Sequence, residues 1–222
     1  MIKIRDLVFR YPRSDFQLRI DKLNIETGSK IAIVGPSGSG KTTLLNLMAG
    51  IAVPDSGVIE IAETNIEKLS DSDRRNFRIK NIGLVFQQFE LVEYLRVTDN
   101  ILLPYLINSS LAKSANAAGR ASDLASGMGL GDKLKRYPRQ LSQGEQQRVA
   151  ICRALIEHPK IILADEPTGN LDPTNKTKIL KLLFQSASEN GQTLVVVTHD
   201  MNILDGFDDV IDFEMFRQAL EV

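Results

Sequence analysis

The sequence predicts a layered α/β fold with a mostly parallel core sheet. After the first sixty residues, short apolar segments of strand length alternate with segments of helical pattern; these apolar segments are residues 82–86, 161–164, 194–198 and 210–213. Such alternation is typical of a mostly parallel sheet in an α/β core. Two polar motifs directly follow predicted strands, where ligands bind in sheets of this kind.

The first sixty residues are predicted to consist mainly of strands. Apolar residues alternate over 16–20 and continue at 23–25, and the pattern returns over 31–33 after a Thr-Gly turn. It returns once more over 57–61 after a Pro-Asp turn. Alternation with a period of two indicates strands with one buried face.

A helical insertion is predicted between two strands of the sheet. Residues 89 to about 155 have a helical pattern and no convincing strand. The middle of this segment, residues 109–129, is rich in Ala, Ser and Gly, so the sequence predicts no helix boundaries there.

Composition and charge exclude several classes of protein. The 222 residues are 43% hydrophobic and 25% charged, which is typical of a globular chain rather than a disordered or fibrous one. The 27 Lys and Arg against 28 Asp and Glu leave no strong overall field for nucleic acid or an anionic membrane. Charges at Lys3, Arg5 and Asp6 interrupt any signal-peptide core, and no apolar run has the length of a bilayer span. We expect a soluble cytoplasmic protein that binds no nucleic acid and does not insert into a membrane itself.

A complete phosphate-binding motif follows the strand predicted at 31–34 and begins an amphipathic helix. Its glycines allow backbone N–H groups to surround an anion at the helix N-terminus. Lys41 adds a positive charge for the β- and γ-phosphates, and the Thr42 hydroxyl can bind Mg²⁺. The alternative is a glycine-rich turn before a helix, which the complete motif in this context disfavours. The predicted binding residues are Gly35, Pro36, Ser37, Gly38, Ser39, Gly40, Lys41, Thr42 and Thr43.

An acidic pair follows the apolar segment 161–164 and provides the second half of such a site. Asp165 suits a Mg²⁺ ligand, and Glu166 suits a base for the attacking water. Without the glycine-rich motif, surface carboxylates at a strand end would be the simpler interpretation. With it, the two motifs predict a nucleoside triphosphatase.

Residues 141–150 resemble a known family. They read Leu-Ser-Gln-Gly-Glu-Gln-Gln-Arg-Val-Ala, and the ATP-binding cassette (ABC) family has Leu-Ser-Gly-Gly-Gln at this place in most members. With Ala-Asp-Glu-Pro-Thr-Gly-Asn-Leu-Asp at 164–172 and Phe-Gln-Gln-Phe at 86–89, the chain looks most like the branch of lipoprotein-release, macrolide-export and cell-division ATPases. The resemblance covers nearly the whole chain and rests on several motifs in the family's order.

The family's fold would then apply to this chain. The resemblance implies one P-loop NTPase domain over residues 1–222, with an antiparallel β subdomain at its N-terminal side. Residues 1–88 and 156–222 would form the RecA-like core and the β subdomain, and residues 89–155 the helical subdomain.

The resemblance also implies roles for individual residues. Tyr11 matches the aromatic residue that stacks on adenine, and Asp172 the residue that links the two sites of a dimer. In the family, two cassettes enclose two ATP molecules, so the signature of one chain contacts the nucleotide of the other. The signature residues are Ser142, Gln143, Gly144 and Glu145; the catalytic residues would be Lys41, Gln87, Glu166 and His199; the Mg²⁺ ligands would be Thr42, Gln87 and Asp165.

Several of these residues also have a purely structural interpretation. Ser142 and Glu145 have the spacing of a capping box at the start of an amphipathic helix. Asp172 is followed by proline, as an N-cap often is. Tyr11 could be a turn residue before Pro12, and His199 could be the residue that precedes an N-cap.

The signature departs from the family pattern at Gln143 and Glu145, which replace a glycine and a glutamine. A carboxylate suits a helix N-terminus but competes with a phosphate for the same N–H groups. The hypothesis is that ATP-driven dimerisation is weaker than a glutamine would allow, and that Glu145→Gln strengthens it.

An apolar and aromatic stretch begins the insertion directly after Gln87. Its residues are Phe89, Leu91, Val92, Tyr94 and Leu95. Either they line a groove for a short helix of a membrane subunit, or they fill the insertion's own core.

The resemblance implies an ATPase that uses ATP and Mg²⁺, forms a homodimer on ATP binding and works with a membrane-spanning permease subunit. It would lie peripherally on the cytoplasmic face of the inner membrane and power export or the extraction of lipoproteins or peptides. The alternative is a cell-division ATPase that regulates a cell-wall enzyme through a membrane partner without transport. A soluble DNA-repair or ribosome-associated cassette would need a long coiled coil or a second cassette, for which 222 residues leave no room.

Overall fold

The computed structural model describes residues 1–13, 15–108, 111 and 116–216. Within them, the strands are β1 (Ile2–Arg10), β2 (Gln17–Ile25), β3 (Lys30–Val34), β4 (Ser56–Ile61), β5 (Thr64–Asn65), β6 (Ile82–Val85), β7 (Ile161–Asp165), β8 (Thr193–Thr198) and β9 (Asp209–Asp212). The α-helices are α1 (Lys41–Met48), α2 (Asp71–Asn81), α3 (Val97–Ile101), α4 (Leu103–Ile107), α5 (Ala117–Gly127), α6 (Gln143–Leu155) and α7 (Pro173–Asn190).

The N-terminal strands form an antiparallel sheet in the order β2-β1-β4-β5. The apolar residues of β1 are buried, among them Ile2, Ile4 and Phe9, so one face of this sheet packs against the core. The register with β4 shifts between Arg5 and Val8, which marks a bulge in β1. The predicted antiparallel subdomain is therefore present.

The remaining strands form a parallel sheet in the order β6-β7-β8-β3-β9. β3 pairs with β8 so that Val34 lies opposite Thr198, and β7 pairs with β8 so that Asp165 lies opposite Val197. The carboxyl ends of these strands therefore lie at one edge of the sheet, and the loops that follow them converge there.

Three apolar clusters hold these layers together. The first joins both sheets through the apolar face of α1, and the second covers the other face of the parallel sheet with α6 and α7. The third lies within the insertion, between α3, α5 and α6. Since α6 contributes to the second and third clusters, it attaches the insertion to the sheet.

Two features of the fold were not predicted. α2 was missed; Ser70 caps its start, and Arg78 near its end donates to the carbonyl oxygens of Ala49 and Gly50, where α1 ends. In the segment 109–129, residues 109–110 and 112–115 lie outside the described residues, and α5 occupies most of the remainder.

No helix in the described part of the chain combines the length and the apolarity that a bilayer span requires.

We predict that Gly83→Ala destabilises the protein. A Cβ at Gly83 of β6 would lie 2.5 Å from the carbonyl oxygen of Ala154 in α6, so the helix must move away from the sheet. We expect the free energy of unfolding, measured by urea denaturation, to fall by about 1–3 kcal/mol. Gly127→Ala is the matched control, because a Cβ at Gly127 meets nothing within 4 Å. Equal stabilities of the two variants would contradict the prediction.

Candidate functional site

A cleft of about 330 Å³ lies at the carboxyl edge of the parallel sheet. The loop between β3 and α1, together with the first turn of α1, contributes most of its lining, and the ends of β7 and β8 contribute the acidic pair and a histidine. Apart from Phe16, every described residue in the lining was predicted from the sequence to belong to the site; these are Ser37, Gly38, Gly40, Lys41, Thr42, Thr43, Gln87, Asp165, Glu166 and His199. Residues distant in the sequence therefore meet in one site.

The glycine-rich loop leaves the N-terminus of α1 available to an anion. Gly40, the N-cap, has φ 111° and provides no side-chain cap, and the first turn of the helix holds no acidic residue. A side chain at Gly40 would be strained and would also collide with Phe16, because a Cβ there would lie 2.7 Å from the Phe16 Cζ. The first N–H groups of α1 therefore face the cleft without a side-chain acceptor.

Lys41 and Ser39 also fit a phosphate ligand. The Lys41 ammonium donates to the carbonyl oxygens of Gly35 (2.7 Å) and Pro36 (2.8 Å), two neutral acceptors within the loop itself. Burial lowers the pKa of Lys41, and the carboxylates of Glu166 and Asp165 oppose that shift. The buried Ser39 hydroxyl has no hydrogen-bond partner among the described residues. An anion in the loop would give both groups a stronger partner.

The metal-binding prediction fits a hydrated Mg²⁺. The Thr42 side chain hydrogen bonds to Asp165, so the two predicted ligands are already adjacent. Burial raises the pKa of Asp165; the Thr42 hydrogen bond opposes this shift and the Glu166 charge adds to it. The described residues contain no group of three His, Cys, Asp or Glu side chains that could hold a metal alone. Mg²⁺ suits such a site because it keeps waters and takes phosphate oxygens as ligands.

Both carboxylate oxygens of Glu166 are held in place. The Thr198 hydroxyl donates to Oε2 at 3.1 Å, and Nδ1 of His199 lies 2.6 Å from Oε1. Glu166 itself has φ 44°, and its N–H donates to the Val197 carbonyl oxygen. The carboxylate therefore has a fixed direction, as an activating base for water needs. His199 contacts this carboxylate and also precedes Asp200, which caps a short 3₁₀ turn.

Two aromatic residues, Tyr11 and Phe16, lie in contact beside the glycine-rich loop. The Tyr11 ring packs edge-on against Phe9 and at an angle to Phe16, and its hydroxyl lies 3.2 Å from the Thr43 Oγ1. Phe16, not Tyr11, is among the residues that line the cleft. The sequence pattern identified Phe16 only as the start of a strand. The signal that could have indicated its place in the cleft was an aromatic ring directly after a turn.

The signature residues lie outside the described lining of this cleft. They form the predicted capping box, since Ser142 N–H donates to the Glu145 carboxylate and Glu145 N–H donates to the Ser142 hydroxyl. Asp172 is the N-cap of α7, where hydrogen bonds from Asn175 lower its pKa. The structural interpretations of these residues are thus confirmed. Ser142, Gln143 and Asp172 are exposed, whereas Gly144 is buried beside the Asn175 side chain of α7.

The loop after Gln87 is attached to the helix that carries the signature. Phe89 and Glu90 both have positive φ, 57° and 48°. The partly buried guanidinium group of Arg153, near the end of α6, donates to the carbonyl oxygens of both residues. On the other side, the Asn170 amide donates to the Gln87 carbonyl oxygen. The Gln87 loop is thus held between α6 and the segment that follows the acidic pair.

An apolar groove of about 260 Å³ lies beside this loop. Phe86 and Glu90 of the loop contribute to it, together with Leu103, Pro104 and Ile107 of α4. Its described lining includes none of the five apolar residues that the sequence proposed for a groove, Phe89, Leu91, Val92, Tyr94 and Leu95. Leu91 packs against the insertion's own core, and Tyr94 is 83% exposed.

The cleft defines a class of protein. A glycine-rich loop before an uncapped helix, a lysine and an acidic strand end are the parts of a P-loop nucleoside triphosphatase. A family model described as ABC transporter matches residues 18–169. The lipoprotein-releasing system ATP-binding protein LolD of Bacteroides thetaiotaomicron is 42% identical over 200 residues, which are 90% of each chain. The chain therefore belongs to the ABC transporter family, as an ATP-binding domain, and the predicted family and fold are confirmed.

Two further comparisons define the family context. The macrolide export ATP-binding/permease protein MacB of Rhodopirellula baltica is 42% identical over 95% of this chain, which spans only 31% of that protein. The cassette MJ0796, in a dimeric post-hydrolysis state bound to ADP and Pi, matches with a TM-score of 0.85 and 36% identity. That alignment covers 96% of this chain and 95% of the other.

We predict that Phe16→Ala weakens nucleotide binding. Phe16 contributes an aromatic face to the cleft beside the glycine-rich loop, and loss of such a contact costs about 1 kcal/mol, or ~5-fold in Kd. Fluorescence titration with a labelled ATP analogue measures the effect. Phe16→Tyr, which keeps the ring, is the control and should bind as the original chain does. Unchanged affinity of the alanine variant would contradict a role for this ring.

Proposed function

We propose that this chain is the ATP-binding and ATP-hydrolysing subunit of a membrane ABC complex of the export or lipoprotein-release type, driven by ATP-dependent dimerisation. The observation that carries the proposal is the fixed Glu166 carboxylate beside an uncapped phosphate-binding loop. The names of the relatives, an ATP-binding protein of a lipoprotein-releasing system and a macrolide exporter, support the type of complex.

Binding of ATP begins at the loop of residues 35–43. The N–H groups of the loop and of the first turn of α1 receive the phosphate oxygens, and Lys41 exchanges its carbonyl partners for them. Thr42, Asp165 and Gln87 would hold Mg²⁺, which when bound neutralises phosphate charge. Adenine lies against the aromatic pair formed by Tyr11 and Phe16.

Hydrolysis depends on the acidic strand end. Glu166 orients a water molecule and accepts its proton, while Thr198 and His199 keep the carboxylate directed. With Glu166 ionised, His199 donates through Nδ1, and its Nε2 is left for the γ-phosphate end of the site.

A second copy of the chain completes each site. Residues 142–145 lie outside the lining of their own chain's cleft, so they serve the nucleotide of the other copy. The dimeric state of the cassette MJ0796 supports this arrangement. Asp172, at the start of α7, would link the two sites.

Transmission to the membrane subunit uses the insertion. We assign residues 89–155 to a helical subdomain and residues 1–88 and 156–222 to the ATPase core with its β subdomain. The apolar groove receives a short helix of a membrane-spanning permease, because it adjoins both the Gln87 loop and Arg153. The chain would then lie peripherally on the cytoplasmic face of the inner membrane. No feature of the described residues favours the cell-division alternative.

We expect Glu166→Gln to reduce ATP hydrolysis on the order of 10²–10⁴-fold, because the base is lost. The affinity for ATP should stay the same, since the carboxylate does not form the phosphate cradle. Phosphate release and nucleotide binding measure the two effects separately. Glu189→Gln, an exposed change in α7, is the control. Normal hydrolysis by the Glu166→Gln variant would overturn the assignment of the base.

We expect Ile107→Glu to reduce recovery with membranes on the order of tenfold, because it replaces an apolar contact of the docking groove by a charge that must be desolvated on docking. The assay is flotation with membranes of the source organism that have been washed with urea to remove peripheral proteins. Ile107 lines the groove and is 69% exposed, so the variant should fold. Leu106→Glu is the control, since Leu106 is 62% exposed and lies outside the groove's described lining. Equal recovery of both variants would contradict docking at this groove.

A further inference from the structure

The Glu145 carboxylate has two partners in the structure. Oε2 accepts the Ser142 N–H at 2.9 Å, within the capping box. Oε1 lies 3.3 Å from the Lys133 ammonium group. Both side chains are mostly buried, with 19% and 18% of their surfaces exposed, so water screens the pair less than it would a surface ion pair.

Lys133 reaches Glu145 from a separate and well-anchored element. It ends a 3₁₀ turn, Gly131–Lys133, that follows α5. Its N–H donates to the carbonyl oxygen of Leu130, a buried residue of the insertion's core. The ammonium group is therefore brought to the start of α6 by the packing of the insertion, not by the helix itself.

The capping box leaves part of the α6 N-terminus for a ligand. It engages the N–H groups of Ser142 and Glu145 and gives no acceptor to those of Gln143 and Gly144. Glu145 thus competes with a phosphate for one N–H group only. The remaining obstacle is electrostatic, because an unneutralised carboxylate in the first turn repels an incoming phosphate.

Other charges near this carboxylate do not replace Lys133. The positive charge of Arg148 acts on Glu145 from within α6, and Asp132 shares the Lys133 ammonium at 3.4 Å from an exposed position. Burial alone would raise the pKa of Glu145, but the Ser142 N–H and Lys133 hold it below its ordinary value. A nearby cation thus stabilises the ionised Glu145 carboxylate, and Lys133 is the cation in contact with it.

We propose that Lys133 is a positioning residue for the signature: it neutralises Glu145 and holds the carboxylate in the capping box, so that the remaining N–H groups at the N-terminus of α6 can receive the nucleotide phosphate of a second copy. In this chain, the ion pair of Glu145 and Lys133 replaces the uncharged glutamine of the usual family signature. The inference rests on the proposed function, since it requires the signature to act in the other copy's site.

The test is a double-mutant cycle in the Glu166→Gln background, which keeps ATP unhydrolysed. Sedimentation velocity gives the ATP concentration at which half of the protein is dimeric. Lys133→Met keeps the apolar stem and removes the charge, so it should raise this concentration on the order of tenfold. Glu145→Gln should lower it, and the double variant should match Glu145→Gln within about twofold.

Two controls separate this role from a general structural one. Lys135→Met removes an exposed positive charge two residues away and should change nothing. The loss in Lys133→Met should shrink at high salt, because its cause is repulsion between charges. Unfolding temperatures of all variants exclude misfolding as the cause.

The outcomes are distinguishable. No ATP-dependent dimer in the Glu166→Gln protein would overturn the proposed function and the inference with it. A normal dimer whose ATP dependence is unchanged by Lys133→Met would overturn the inference alone. A loss that persists undiminished in the double variant would also overturn it, since Lys133 would then act independently of Glu145.

Discussion

The parallel hydrogen bonding of β7, β8 and β3 is the constraint on which the site depends. It brings Val34, Asp165 and Thr198 to one edge of the sheet, so the loops that follow them converge. A register shift by one residue would turn every side chain of a strand to the opposite face. Asp165 would then leave Thr42, and Thr198 would leave Glu166. The apolar strands therefore fix the geometry of the polar residues at their ends, although their own apolar side chains lie outside the described lining of the cleft.

The second constraint is α6, a single helix that reaches three functional parts of the molecule. Its start carries the signature, its middle packs into two apolar clusters, and its end contacts β6 and the Gln87 loop through Ala154 and Arg153. Gly83 allows this end to approach the sheet closely. A displacement of the Gln87 loop must therefore move α6 or break the two hydrogen bonds of Arg153. The cleft, the groove and the signature are therefore connected through one helix, α6.

What the sequence could predict was local. The glycine-rich loop, the acidic pair and the capping box are each continuous or nearly so, and their spacing determines their geometry. Three residues that contact these motifs or the loops beside them could not be predicted in the same way: Phe16, Arg153 and Lys133. Each contacts a part of the site that is separated from it in the sequence, and no spacing rule relates a residue to such a partner. An apolar groove does lie beside the Gln87 loop, but its described wall comes mainly from α2, β6, α4 and the end of α6, and from none of the five apolar residues at 89–95 that were expected to line it. Periodicity cannot show which face of a short helix will meet a neighbouring element.

The capping box at Ser142 has a consequence for the energetics of dimerisation. Because Ser142 and Glu145 already satisfy two N–H groups of α6, the start of this helix is ordered before any nucleotide from a second copy arrives. Ordering it therefore costs little on binding, which favours association. The same box limits the number of N–H groups that a phosphate can use, which weakens association. Under the proposed role of the signature, dimer formation would thus depend on a balance between a preformed helix start and a shared set of donors, and the charge of Glu145 would shift that balance.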